Sequence, residues 1–137
     1  MNTLVGAVAC VWLGLVVGIS FLEAPLRFRA PGVTLAVGLG IGRVVFAALN
    51  RVEVVLAAAV VLAAVLGRHP LEVVVSAAIA TVALLAQLVF VRPALVQRSN
   101  QVLAGEQGPR SRTHHAYVAL EIVKVVALVA LGWAALR

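Results

Sequence analysis

Arg43, Asn50, Glu53, Gln87, His114, Tyr117, Glu121 and Lys124 are the side chains of this sequence best equipped to bind or move a charge, and most of them stand inside long apolar runs. A charge at the centre of a bilayer costs about 2.5–3.5 kcal/mol on insertion scales, and less near the interface. Groups placed there need partners, and the simplest partners are one another. At about 100° per residue, His114, Tyr117, Glu121 and Lys124 fall within roughly 80° on one helix. Arg43, Phe46, Asn50 and Glu53 make a comparable stripe on another, while Arg51 points elsewhere and can snorkel to headgroups. Two such stripes at equal depth are most easily satisfied by facing each other. Glu121 and Lys124 are also three apart on one helix face, and Glu53 is expected to pair with Lys124 from the other stripe or with Arg43.

Two readings of this layer stand side by side. In one it is a closed ionic clasp that holds helices together. In the other it is a cytoplasm-facing polar pocket that binds or passes a proton, ion or small polar solute. Glu53 and Glu121 are then the ionisable groups and Lys124 and Arg43 their counter-charges. Asn50, Gln87 and Tyr117 supply hydrogen bonds, and His114 shares the stripe of Glu121.

The elements that position these groups are read from apolar runs. Of the 137 residues, 64% are hydrophobic and 12% charged, with a mean hydropathy of +1.12. Soluble domains are about 45–50% apolar and about 25% charged, so this excess has no core to fill in a chain so short. Runs of about 20 apolar residues cross a bilayer of about 30 Å. The expected fold is all-α: a single polytopic membrane domain, a bundle of four transmembrane helices spanning about residues 4–22, 44–66, 71–91 and 117–136. The short turn Gly67–Pro70 makes the second and third spans antiparallel neighbours in a long hairpin. Counting inward from that turn puts Asn50, Arg51 and Glu53 about 4–10 Å inside the hydrocarbon at 1.5 Å per residue, with Gln87, Glu121 and Lys124 at a similar depth.

Several local features refine the picture. No proline interrupts Thr34–Leu66, but Gly38, Gly40 and Gly42 soften that stretch and are expected to mark an interfacial extension ahead of the span proper. The same glycines are no nucleotide loop, because no strand precedes them. Pro25 closes the first span, and Pro93 falls at the end of the third, where 93–104 reads as a kinked continuation. Gly105–Arg112 has loop composition and is the best candidate for mobility, with Thr113 as the N-cap of the last helix. Gly14 and Gly18 are four apart on one face, which packs either within the monomer or as a homodimer seam. Trp12 and Trp133 read as interfacial anchors and Cys10 as a small buried residue.

Charge sets orientation and excludes partners. The net charge is +6, with arginines clustered beside apolar spans, where lipid headgroups and topology explain them better than nucleic acid. Arg27, Arg29, Arg92, Arg98, Arg110 and Arg112 share one side and Arg68 and Arg137 the other. The positive-inside rule then places both long loops in the cytoplasm and both termini outside the cell (inner) membrane. No basic n-region precedes the first span, so it is expected to be retained. No Ser-His-Asp or Cys-His constellation is visible, so an enzyme is the lesser reading. Adjacent His114 and His115 diverge by about 100° and do not make an i,i+4 metal pair, and Met-rich or His-rich tracts are lacking; no metal and no cofactor is expected. Besides solute binding, the sequence allows an accessory or structural subunit of a larger membrane complex, or a haem-, quinone- or lipid-handling membrane protein.

Trp12-Leu13-Gly14, the run Phe21-Leu22-Glu23-Ala24-Pro25-Leu26-Arg27-Phe28, Gly42-Arg43-Val44-Val45-Phe46, Arg92-Pro93, and His114 or His115 opening the last span resemble a family of small four-span bacterial membrane proteins. That family is grouped with copper-resistance-type membrane proteins. The resemblance implies a four-helix membrane fold and leaves activity undefined.

Overall fold

Alanine, valine and leucine in runs without proline favour helix, and every element found is one. In the computed structural model, residues 2–105 and 112–137 are described, and among them there is no strand. Helix α1 (Asn2–Val16) passes through a π-helical segment (Val17–Glu23) into the short α2 (Ala24–Arg27). Helix α3 (Leu35–Leu66) is followed by α4 (Leu71–Ala86), which passes through a second π-helical segment (Gln87–Val91) into α5 (Arg92–Leu103), and α6 (Arg112–Leu136) closes the chain. The expected loop 105–112 falls, apart from its two end residues, outside the described residues, as does the side chain of the expected cap Thr113. Four continuous helical stretches, Asn2–Arg27, Leu35–Leu66, Leu71–Gln101 and His114–Leu136, are each long and apolar enough to cross a membrane.

Both π-helical segments end just before a proline. Pro25 and Pro93 lack an N–H, and each ring crowds the carbonyl four residues back, at Phe21 and Val89. Widening the preceding turn to i→i+5 spacing relieves that crowding without ending the helix. The first stretch therefore does not stop at Pro25 but continues to Arg27, where a turn reverses the chain. Val33 N donates to Ala30 O at 3.2 Å, with Pro31 and Gly32 at the corner. Gly32 has φ +80°, the left-handed value that the second corner position of a type II turn requires. Thr34 then caps α3, its hydroxyl accepting from Val37 N at 3.2 Å.

Helix α3 is unbroken for 32 residues, about 48 Å at 1.5 Å per residue. Gly38, Gly40 and Gly42 do not divide it. Two of them instead admit the returning end of the first stretch. A Cβ on Gly38 would overlap the Phe28 ring, and one on Gly42 would stand 2.5 Å from Arg27 Nη1. The long α3–α4 hairpin turns through residues 67–70, where His69 bridges Ala63 O at 3.0 Å and the Asn2 side chain at 2.6 Å.

Helix α6 packs against α1 and α4, and α3 joins both. The apolar core runs through Val5, Ala9 and Val16 of α1, Ala57 and Val60 of α3, Val73, Ala77 and Ala80 of α4, and Leu128 and Leu131 of α6. Alanine at so many contacts lets the helices approach closely, the usual means of association where apolar burial alone gives no drive. The outside is as apolar as the inside: Val44, Val65, Leu71 and Phe90 are each more than 70% exposed.

Candidate functional site

Within this core lies one polar layer, built by four helical stretches. Lys124 of α6 is its centre. The Lys124 ammonium donates to Glu53 Oε2 at 2.6 Å, to Glu121 Oε1 at 2.6 Å and to Gln87 Oε1 at 2.7 Å. An ammonium has three N–H donors, so all are used. Glu53 and Lys124 are 0% exposed, and Glu121 and Gln87 1%. Glu121 is fully served: Oε1 also accepts from Gln87 Nε2 at 3.3 Å and Oε2 from Ser20 Oγ at 2.7 Å. Glu53 is served on one side alone. Its Oε2 accepts from Trp12 Nε1 at 2.8 Å as well as from Lys124, while Oε1 has no partner among the described residues.

Each contributor arrives by a local device. Glu121 and Lys124 are one helical turn apart, which lets both reach the same point. Ser20 lies inside the first π-helical segment and Gln87 opens the second, so the two widened turns flank Glu121. Trp12 sits on the buried face of α1 and is 0% exposed.

Some expected positions fall elsewhere. Arg43 does not pair with Glu53; ten residues earlier on α3, it is about 15 Å away along the axis and donates to Asn100 Oδ1. Asn50 is buried on α3 but makes no side-chain hydrogen bond to the layer among the described residues. Tyr117 gives the layer its carbonyl, which accepts from Gln87 Nε2 at 3.5 Å, and packs edge-on against Phe46 with ring centroids 5.9 Å apart. Its buried hydroxyl has no hydrogen-bond partner among the described residues. His114 is exposed, stacked edge-on with His115.

Three readings from sequence are corrected. Trp12 is not an interfacial anchor, because its indole N–H satisfies a buried carboxylate. Cys10 is exposed, not buried. Gly14 and Gly18 do not pack within the chain, since a Cβ at either would meet nothing within 4 Å. Sequence reasoning also passed over Ser20 and Trp12 as members of the layer. Ser20, five residues before a proline in an apolar run, was the one detectable signal, whereas an aromatic ring in an apolar helix gives none.

Beside the layer, toward the arginine-bearing end, opens a cavity of about 250 Å³. Its floor is Ser20, Tyr117 and Glu121, so the cavity and the layer share Glu121. Phe21, Phe28, Leu39, Phe46, Leu95 and Val96 make apolar walls, and Arg27, Arg43, Arg92, Ser99 and His114 complete the lining. Arg27 is buried and committed. It donates to Glu23 at 2.9 and 2.5 Å and to Gly38 O at 3.2 Å, and its guanidinium lies over Phe46 at 5.9 Å. Arg92 donates to Arg43 O at 3.3 Å. Ser99 Oγ is buried without a hydrogen-bond partner among the described residues. Among those residues no three His, Cys, Asp or Glu side chains converge to hold a metal.

No protein-family model, curated protein or solved structure matches this chain.

Proposed function

We propose that this chain is a multi-pass protein of the cell membrane that binds a small solute in the cavity at its arginine-bearing, cytoplasmic end. The buried ionic layer is the closed floor of that cavity. Four long apolar helices and an exterior of Val, Leu and Phe support residence in lipid, because an aqueous surface tolerates few such patches. The arginine asymmetry supports the orientation.

One observation carries the binding reading. Two hydroxyls belong to cavity-lining residues and are buried without a well-formed hydrogen bond among the described residues: Ser99 Oγ, and Tyr117 Oη, which lies beside Glu121 and Ser20. Buried polar groups are normally satisfied, and an orphan costs about 1–3 kcal/mol. A bound solute with polar atoms would satisfy both. The layer itself favours binding over passage. Lys124, Gln87 and Glu121 are closed on one another and buried, and beyond them the core is apolar.

Native mass spectrometry of the gently extracted protein tests this. A bound non-protein mass is expected, and it should disappear from a Val96→Trp variant that fills the cavity. Equal masses for the two proteins, corrected for the substitution, refute the reading.

The open face at Gly14 and Gly18 supports a second element of the proposal, a helix–helix contact between copies of the chain. Gly14→Trp should then shift the sedimentation of the detergent-solubilised protein toward monomer; an unchanged profile removes the contact.

A further inference from the structure

The geometry points to an amphiphilic anion as the occupant of this cavity: a phosphate or carboxylate head held between Arg43 and Arg92, with an apolar tail leaving past Phe21. The inference rests on the cavity being a solute site and narrows the solute to a class.

Charge selects the head. The cavity is lined by three guanidiniums and one carboxylate, an excess of two positive charges with His114 neutral. Glu23 neutralises Arg27 outside the cavity, and beneath it Lys124 faces both Glu121 and Glu53, which leaves the floor one negative charge over. The excess therefore belongs to Arg43 and Arg92. Neither has a carboxylate within 4.0 Å among the described residues, and both are partly shielded from outside. They lie next to each other, since Arg92 reaches the backbone of Arg43. Two guanidiniums lining one cavity, with donors left over beyond the bonds to Asn100 Oδ1 and Arg43 O, suit an oxyanion, whose lone pairs accept several N–H groups at once. The orphan hydroxyl of Ser99 offers a further donor at the same wall. A cation is disfavoured by the same two charges.

Shape and surroundings select the tail. Phe21, Phe28, Leu39 and Leu95 offer nothing to a fully hydrated ion, yet they are a large part of the wall. Phe21 lines the cavity and is also 41% exposed on the outer surface. The wall there is the boundary with the surroundings, which in a membrane are acyl chains. A volume of about 250 Å³ lies just under the usual range for ligand pockets, about 300–1,000 Å³. It fits a head and the first carbons of a chain better than a whole lipid. Such a molecule would enter from the leaflet with its charge at headgroup depth and its chain still in hydrocarbon.

The test uses the full chain in nanodiscs of phosphatidylcholine, with dodecyl phosphate, dodecanol and inorganic phosphate as separate probes, read by native mass spectrometry and equilibrium binding. The expected result is one saturable dodecyl phosphate per chain, bound at least tenfold more tightly than dodecanol or inorganic phosphate. The Arg43→Gln/Arg92→Gln variant should lose that advantage by about tenfold or more, the order expected for charge-assisted hydrogen bonds. Arg51→Gln, which removes one positive charge from an exposed site on α3, should leave it unchanged. Should the double variant fail to fold, Val96→Trp must abolish binding in its place. Inorganic phosphate binding as tightly as dodecyl phosphate would overturn the amphiphile and leave a solute site for free anions. Dodecanol binding equally would overturn the anionic head and leave an apolar site. Failure of all three probes, or binding that Val96→Trp leaves intact, would overturn both this inference and the solute reading beneath it.

Discussion

Replacing Lys124 by methionine is the most demanding test of the buried layer. Methionine nearly preserves volume and removes only the ammonium. Three hydrogen bonds go with it, to Glu53, Glu121 and Gln87, at 2.6, 2.6 and 2.7 Å. Each charge-assisted bond contributes about 1.5–3 kcal/mol, but bonds sharing one donor group are not additive. Removing one partner of a buried ion pair costs about 3–5 kcal/mol, because the other is left charged in a dry interior. Here two carboxylates are left, at 0% and 1% exposure. They can escape by taking up protons. From an ordinary carboxyl value near 4.3, neutralising one at pH 7 costs about 3.7 kcal/mol. A deficit of about 4 kcal/mol at pH 7 follows, shrinking as the pH is lowered toward 5 because protonation becomes cheaper by about 1.4 kcal/mol per unit. Equilibrium unfolding in mixed micelles, followed by helical circular dichroism at both pH values, measures it. Glu53→Gln is the counter-perturbation. Two carboxylates against one ammonium leave the trio with one excess negative charge, and glutamine removes that excess while keeping an acceptor for Trp12 and Lys124. It should change stability by less than about 1 kcal/mol, in either direction. A loss under about 1 kcal/mol for Lys124→Met, or a loss for Glu53→Gln as large as that for Lys124→Met, would refute the account of the layer as a clasp centred on the ammonium.

The remaining predictions concern the devices around the layer. Gly42→Ala should destabilise by about 1 kcal/mol net of helix propensity, since its Cβ would stand 2.5 Å from Arg27 Nη1 and force that end off its buried bond to Gly38 O. Gly40→Ala, with nothing within 4 Å, should stabilise by up to about 1 kcal/mol through helix propensity; the two unfolding midpoints, compared directly, check the pair. Trp12→Phe keeps the ring and deletes the donor to Glu53 Oε2, so it should cost about 1.5–3 kcal/mol. Most of that loss should vanish in a Glu53→Leu background, as a double-mutant cycle would reveal.

The four helical stretches were legible because apolar length alone announces them, and the turn at residues 67–70 because Gly67 and Pro70 bracket it. Periodicity set Glu121 beside Lys124 and aimed Glu53 toward them, since one helix turn brings i and i+3 together whatever the tertiary fold. Arg43 was harder. Helical phase placed it on the stripe of Glu53, but ten residues on one helix already set the two about 15 Å apart along the axis, beyond the reach of an ion pair. Trp12 was opaque for a different reason: an indole in an apolar helix satisfies an anchoring role and a hydrogen-bonding role equally well until the neighbouring helix is known. The cavity was equally hidden. Its walls come from α2, α3, α5 and α6 together, and no single segment bears the mark of a concave surface. The role of Gly38 and Gly42 depended on where Phe28 and Arg27 return, which a turn of unknown direction does not disclose.

The widened turns at residues 17–23 and 87–91 each carry a residue to spare. A π-helical turn holds one residue more than an α-helical turn covering the same ground. Deleting one residue between Val17 and Glu23 would let the helix close into regular α geometry with the flanking turns still in phase. Trp12 would keep its place on Glu53 and Val5 its place in the core, and the loss would fall on contacts made inside the turn, Ser20 with Glu121 first. The same deletion in the middle of α3, where no turn is widened, would rotate one half of that helix against the other by about 100°.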